Sequence, residues 1–260
     1  MRFGRGEGHI AVITGASSGI GAAIARELVR RQTFVILSGR NEEALDKLAA
    51  ELGAETCAVI PADLSTAEGC RKLFESSLAY SPDVLINNAG YGIYGRFDET
   101  DAEKETGLVD LNVRAMHILF KLYGDEFERN GRGYILNTAS LAGFMPGPLM
   151  ASYYASKAYV LRLTQAVWLE KLFTGSKVKV SVLCPGPVDT KFNETAGITG
   201  FFKGITAEEC AKAAIDGMEH GLPMILPSAV VKAVAVMSAV TPALVAGTFA
   251  YLAQKGKKRI

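Results

Sequence analysis

The sequence predicts an α/β fold: one doubly wound parallel sheet of about seven strands with helices on both faces. Three observations carry this. Short apolar runs alternate along the chain with longer amphipathic stretches, the pattern of parallel strands joined by crossover helices. The first apolar run leads directly into a glycine-rich turn and then into helical spacing. The 260 residues suit one domain with a large core, and no repeat, low-complexity tract or interdomain linker interrupts them.

Taken in order, residues 9–14 form a short apolar run ending at Gly15, as a buried strand should. Residues 22–29 have helical spacing, with Ala25, Leu28 and Val29 on the buried side. Residues 33–38 read as the second strand, and Asn41 as the N-cap of an amphipathic helix running to Leu52. A third strand over 56–60 precedes a helix near 67–78. The fourth strand, 83–87, is followed by a long helix through Asn112 to Phe127. The fifth, 133–137, is followed by a helix from about Ser152 to Phe173. Residues 177–183 make the sixth strand and 224–226 a short seventh.

The division expected is a main domain over 8–228 and an apolar helical extension with a basic tail over 229–260. From Ala233 to Ala253, about 21 residues carry no charge, just enough to span a bilayer, and Lys255, Lys257, Lys258 and Arg259 follow. Pro242 divides that stretch, and Ala, Ser, Thr and Gly dilute it. Two short helices packed on the body or on a second copy are therefore favoured. Attachment to an anionic membrane surface is the alternative.

Charge and cysteine usage exclude other classes. Lys+Arg 28 against Asp+Glu 27 leaves a net charge of +1, which gives nucleic acid no general attraction. Cys57, Cys70, Cys184 and Cys210 are scattered, and His9, His117 and His220 lie far apart. Neither a disulfide framework nor a metal site is expected; spectator thiols in a reducing, cytoplasmic setting are. Basic residues open the chain without a long apolar run before the first strand, so no cleaved signal peptide is expected.

The turn Thr14-Gly15-Ala16-Ser17-Ser18-Gly19-Ile20-Gly21 joins strand to helix. Such a unit aims the free N–H groups of a helix start at an anion and lets backbone approach a pyrophosphate. The glycines are spaced G-x-x-x-G-x-G, not G-x-G-x-x-G. Further on, Ser140 precedes Tyr153 and Lys157, which are four residues apart on one helix face. A free phenol has a pKa near 10, and a nearby cation lowers it, a role open to Lys157. In the reductive direction Tyr153 would donate a proton to a carbonyl oxygen that Ser140 holds. Tyr154 lacks the four-residue spacing and is set aside.

These residues resemble the short-chain dehydrogenase/reductase family over roughly 8–228. The matches are the glycine turn, Asp63-Leu64, Asn87-Asn88-Ala89-Gly90, Asn112, Ser140, Tyr153 through Lys157, and Pro185-Gly186-Pro187-Val188-Asp189-Thr190. The resemblance implies a Rossmann-type strand order 3-2-1-4-5-6-7 and catalysis by Asn112, Ser140, Tyr153 and Lys157. It implies a nicotinamide cofactor held by Gly15, Ser17, Ser18, Gly19, Ile20 and Gly21, by Asp63 and Leu64, and by Asn88, Ala89 and Gly90. Pro185, Gly186, Val188 and Thr190 complete that set with Tyr153 and Lys157. By the same resemblance Asp63 bonds the adenine, Lys157 bonds the nicotinamide ribose, and Asn112 holds a water that links Lys157 to solvent.

The residues themselves speak to cofactor and substrate. An NAD site places an acid at the end of the second strand, where this chain has Ser38-Gly39-Arg40-Asn41. Arg40 can pair with a 2′-phosphate, so NADP(H) is expected. The loop 141–150 is apolar, as are Ile93, Tyr94, Phe192, Phe201 and Phe202, which favours a lipophilic ketone or aldehyde. A 3-oxoacyl thioester reductase is the nearer alternative. A cofactor-binding scaffold without chemistry is the more distant one, and it has no use for Ser140, Tyr153 and Lys157 together. A homo-oligomer, with a dimer favoured, is the expected assembly.

Overall fold

The computed structural model describes residues 8–190 and 204–255. Seven parallel strands form the sheet: β1 Ile10–Thr14, β2 Phe34–Ser38, β3 Cys57–Val59, β4 Val84–Asn87, β5 Gly133–Thr138, β6 Val178–Leu183 and β7 Met224–Ile225. Their order is β3-β2-β1-β4-β5-β6-β7, as the resemblance implies. The order reverses between β1 and β4, which opens a crevice at the C-terminal ends of those strands. Ile13 pairs with Leu37 on one side and Ile86 on the other, so β1 is an interior strand of the sheet.

Alternate residues serve opposite faces, as strand geometry requires. Ile13, Leu37 and Ile86 join α1 (Gly19–Arg30), α2 (Glu42–Leu52) and α7 (Ala207–Glu219) in one core. Val12, Ile36, Leu85 and Ile135 join α3 (Ala67–Ser77), α5 (Met116–Arg129) and α6 (Ala151–Thr174) in the other. Arg31 clamps α1 to α7, bonding Glu27 and, at 2.6 and 3.0 Å, Asp216 and Glu219.

Local chemistry sets the helix ends. Asn41 caps α2 as expected, accepting from the Ala44 N–H at 3.0 Å. Sequence reading passed over α7, although its start carries a capping box. Thr206 accepts from the Glu209 N–H at 3.1 Å, and the Glu209 carboxylate accepts from the Thr206 N–H at 2.9 Å. The long helix expected through Asn112 is present but not uniform. α4 (Ala102–Val109) and α5 are joined by a π turn over Asp110–Ala115, with Asn112 inside it.

The extension forms two helices, α8 (Ala229–Val240) and α9 (Ala243–Lys255), parted at Thr241 and Pro242. Among the described residues no helix is long and apolar enough to cross a membrane. Both helices lie on the body. α8 packs on the short turn Leu141–Phe144 and sets Val231 against Gly186. Gly247 of α9 faces Pro146, where an added Cβ would lie 3.2 Å from the proline ring. Phe192, Phe201 and Phe202, and the basic Lys257, Lys258 and Arg259, lie outside the described residues.

Candidate active site

The glycine turn is built for close approach. Gly15 and Gly19 take positive φ angles of 67° and 55°. A Cβ on Gly21 would fall 2.2 Å from the Gly15 carbonyl oxygen and 2.8 Å from the Asn88 amide. Only glycine lets α1 begin so near the end of β1. Thr14 extends the platform: its hydroxyl accepts from the N–H groups of Asn88 and Ala89 at 2.9 and 3.0 Å. The Asn88 amide donates to the Thr14 carbonyl at 3.2 Å. Ser18, the N-cap of α1, makes no side-chain capping bond, which leaves the first-turn N–H groups to an anion. Thr190 sits over that helix start, 3.3 Å from where a Gly19 Cβ would be. This cradle fits a dinucleotide pyrophosphate. Gly21→Ala is expected to cost about 1–3 kcal/mol by overpacking and to weaken cofactor binding. Thermal unfolding and NADPH titration check it, and an unchanged Tm with unchanged affinity would contradict this view of the turn.

The flank of the crevice is polar and charged. Gly39 lies beside Ser17, whose hydroxyl would be 3.6 Å from an added Cβ, and Arg40 is exposed at the end of β2. Asp63 is held below its ordinary pKa by the Ser65 hydroxyl and N–H, at 2.8 and 3.0 Å, with help from the charge of Arg40. Thr66 caps α3, accepting from the Gly69 N–H at 2.9 Å. Leu64 is buried in the core beneath, so only its backbone faces outward chemistry. Asn87 ties β4 to α5 by donating to the Met116 carbonyl at 2.9 Å.

Ser140, Tyr153 and Lys157 converge at the end of β5. Ser140 is hydrogen-bonded to the Tyr153 hydroxyl. The Ser140 hydroxyl also accepts from Ala142 N–H at 3.1 Å and reaches the Pro185 carbonyl at 3.4 Å. Lys157 is buried and donates to the Thr138 carbonyl at 2.9 Å, with Nζ 5.8 Å from the centre of the Tyr153 ring. Gly90 lies where Asn112 and Lys157 meet: a Cβ there would be 2.9 Å from the Asn112 Oδ1 and 3.4 Å from Lys157 Nζ. The buried Asn112 side chain spans three elements. It accepts from Tyr91 N–H at 3.0 Å, donates to the Tyr91 carbonyl at 2.8 Å and to Ser156 Oγ at 3.1 Å. Ser156 in turn donates to the Tyr153 carbonyl at 2.7 Å.

The electrostatics differ from the simple Tyr–Lys expectation. Burial pushes the Tyr153 phenol up to about 12, against the opposing hydrogen bond from Ser140. Burial also pushes the Lys157 ammonium down to about 8. Lys157 does not figure among the groups that shift Tyr153: burial dominates, and the lysine is engaged with Thr138. At neutral pH the pair is therefore a phenol, with its proton in place, beside an ammonium.

Around the Tyr153 ring, Met150, Tyr94 and Tyr154 form one apolar cluster with it. Phe144, in contrast, packs on the core. Sequence reasoning missed the wall behind this cluster. Gln254 of α9, buried, donates from Nε2 to the Tyr154 hydroxyl at 2.8 Å, and its backbone carbonyl accepts from the Tyr94 hydroxyl at 3.0 Å. No local pattern marks a partner 100 or 160 residues away.

Comparison with known proteins agrees with this geometry. A family model described as short chain dehydrogenase matches residues 9–199. The chain is similar to a short-chain dehydrogenase from Sphingobium yanoikuyae solved with NADPH, 31% identical with TM-score 0.80 over 89% of this chain and 93% of that one. It is also similar to the bulky-bulky ketone specific alcohol dehydrogenase from Comamonas testosteroni, 30% identical with TM-score 0.75 over 90% and 95%. A third likeness is to a 3-ketoacyl-(acyl-carrier-protein) reductase from Brucella melitensis complexed with NADH, 26% identical with TM-score 0.74 over 85% and 95%. With the glycine turn, the Ser140–Tyr153 bond and the buried Lys157 already in place, the matched span covers most of the chain, and the protein is an oxidoreductase of the short-chain dehydrogenase family.

Proposed function

We propose that this protein is an NADP(H)-dependent reductase that turns a lipophilic ketone or aldehyde into an alcohol. The observation that carries the reading is the Tyr153 phenol, bonded to Ser140 and backed by Met150, Tyr94 and Tyr154. A bound nicotinamide would supply the hydride. Tyr153 gives its proton to the carbonyl oxygen, and Ser140 holds that oxygen with a hydrogen bond as negative charge develops there. The Lys157 ammonium offsets the phenolate that remains, and Asn112 braces Tyr91 and Ser156 around it. Gly15 through Gly21, Asn88, Ala89 and Gly90 suit the diphosphate and ribose, with Pro185, Gly186, Val188 and Thr190 covering them. The preference for the phosphorylated cofactor is supported by Arg40, which follows β2 in Ser38-Gly39-Arg40-Asn41, where no Asp or Glu stands to take a ribose hydroxyl.

The test is NADPH consumption over a panel of lipophilic ketones, aldehydes, sugars and a 3-oxoacyl thioester. Apolar carbonyls are expected to exceed sugars by at least about tenfold in kcat/KM, as an apolar pocket discriminates. A thioester turned over faster than every simple ketone would move the assignment to acyl reduction. No consumption with any carbonyl, under either cofactor, would remove it.

A further inference from the structure

The two helices of the extension are turned the wrong way round for elements that only cover the body. A helix packed on a core directs its larger apolar side chains inward. Here the buried stripe of α9 is Ala246, Gly247, Ala250 and Gln254, and α8 turns in Val231 and Ala235. The larger side chains face out. Val236, Met237 and Val240 of α8 and Leu244, Phe249 and Leu252 of α9 are exposed, Val240 to 81% and Leu244 to 87%. Two adjoining helices with this outer face mark an interaction surface.

We propose that the outer face of α8 and α9 docks on an anionic lipid bilayer. The charge of this region selects the occupant. From His220 to Ile260 the sequence has no Asp or Glu, and its charged residues are Lys232, Lys255, Lys257, Lys258 and Arg259. A second copy meeting the same face would bring cation against cation. Anionic headgroups complement the cations, and acyl chains take the apolar side chains. Since neither helix can cross a membrane, both lie in the interface plane. The other side of α9 holds Tyr154 and Tyr94, so docking sets the back of the substrate wall against lipid. That link to substrate supply rests on the reductase reading. The docking itself rests on the outer face alone, and the two fail in separate assays.

The full chain is floated with vesicles of phosphatidylcholine alone and of phosphatidylcholine with phosphatidylglycerol, at low and high salt. At least about tenfold more protein should rise with the anionic vesicles, and high salt should reverse most of it. Leu244→Glu with Phe249→Glu, both on exposed positions, should remain in the soluble fraction while keeping the wild-type Tm and NADPH consumption. The proposal is overturned if wild type stays soluble with both vesicle types, or if the double variant floats as wild type does. It is equally overturned if light scattering shows a dimer that the double variant loses while neither protein binds vesicles, since a second copy then covers the face.

Discussion

Tyr153→Phe is expected to lower carbonyl reduction by at least about 10²–10⁴-fold, the usual worth of a positioned acid, while NADPH still binds. The substitution keeps the ring in the Met150–Tyr94–Tyr154 cluster and removes only the hydroxyl that bonds Ser140. Burial holds that hydroxyl protonated near neutrality, with Lys157 charged behind it, so its loss takes away the donor itself. Tyr154→Phe is the control. It loses the bond from Gln254, worth about 0.5–1.5 kcal/mol, and no proton donor, so its turnover should fall far less. Single-turnover rates and NADPH titrations separate the two effects. Comparable turnover by wild type and Tyr153→Phe would remove the mechanism.

The second large effect is on cofactor choice. Arg40→Ala should weaken NADPH by roughly tenfold to a hundredfold, since a charge-assisted bond contributes about 1.5–3 kcal/mol. NADH, with no 2′-phosphate, should change little. Arg40 is exposed and its charge reaches Asp63 and Tyr91, so removing it alters one flank of the crevice without unpacking the core. Fluorescence titration with both cofactors reads the difference. Equal losses would mean that another residue discriminates.

Much of this architecture is legible in the sequence, for a physical reason. Strands buried on both faces write themselves as continuous apolar runs, and all seven strands of the sheet lie where such runs do. Asn41 was readable as a cap because capping is a local bond across three residues. By the same rule α7 could have been found, since Thr206 and Glu209 carry both halves of a capping box. Other features had no local cause. The proton affinity of Tyr153 depends on burial by residues distant in sequence, so spacing to Lys157 alone misjudged its direction. Gln254 reaches Tyr154 and Tyr94 only because α9 folds back over the site. Long-range contact of that kind leaves no period to read.

The π turn at Asp110–Ala115 has a consequence for chain length. A turn of this kind holds one residue more than the α-helix around it, and each helical residue turns the chain by about 100°. Deleting a single residue from this stretch would let the helix close into regular geometry with α4 and α5 still in phase, since the widened turn sweeps about the angle that one residue fewer sweeps in an α-helix; the turn that presents Asn112 would be lost. Asn112 would no longer meet both Tyr91 and Ser156, although every side chain of the catalytic set would still be encoded. Variants here are therefore expected to tolerate substitution at exposed positions far better than any change in residue number. The spacing is itself a functional element, invisible to a residue-by-residue inventory of the site.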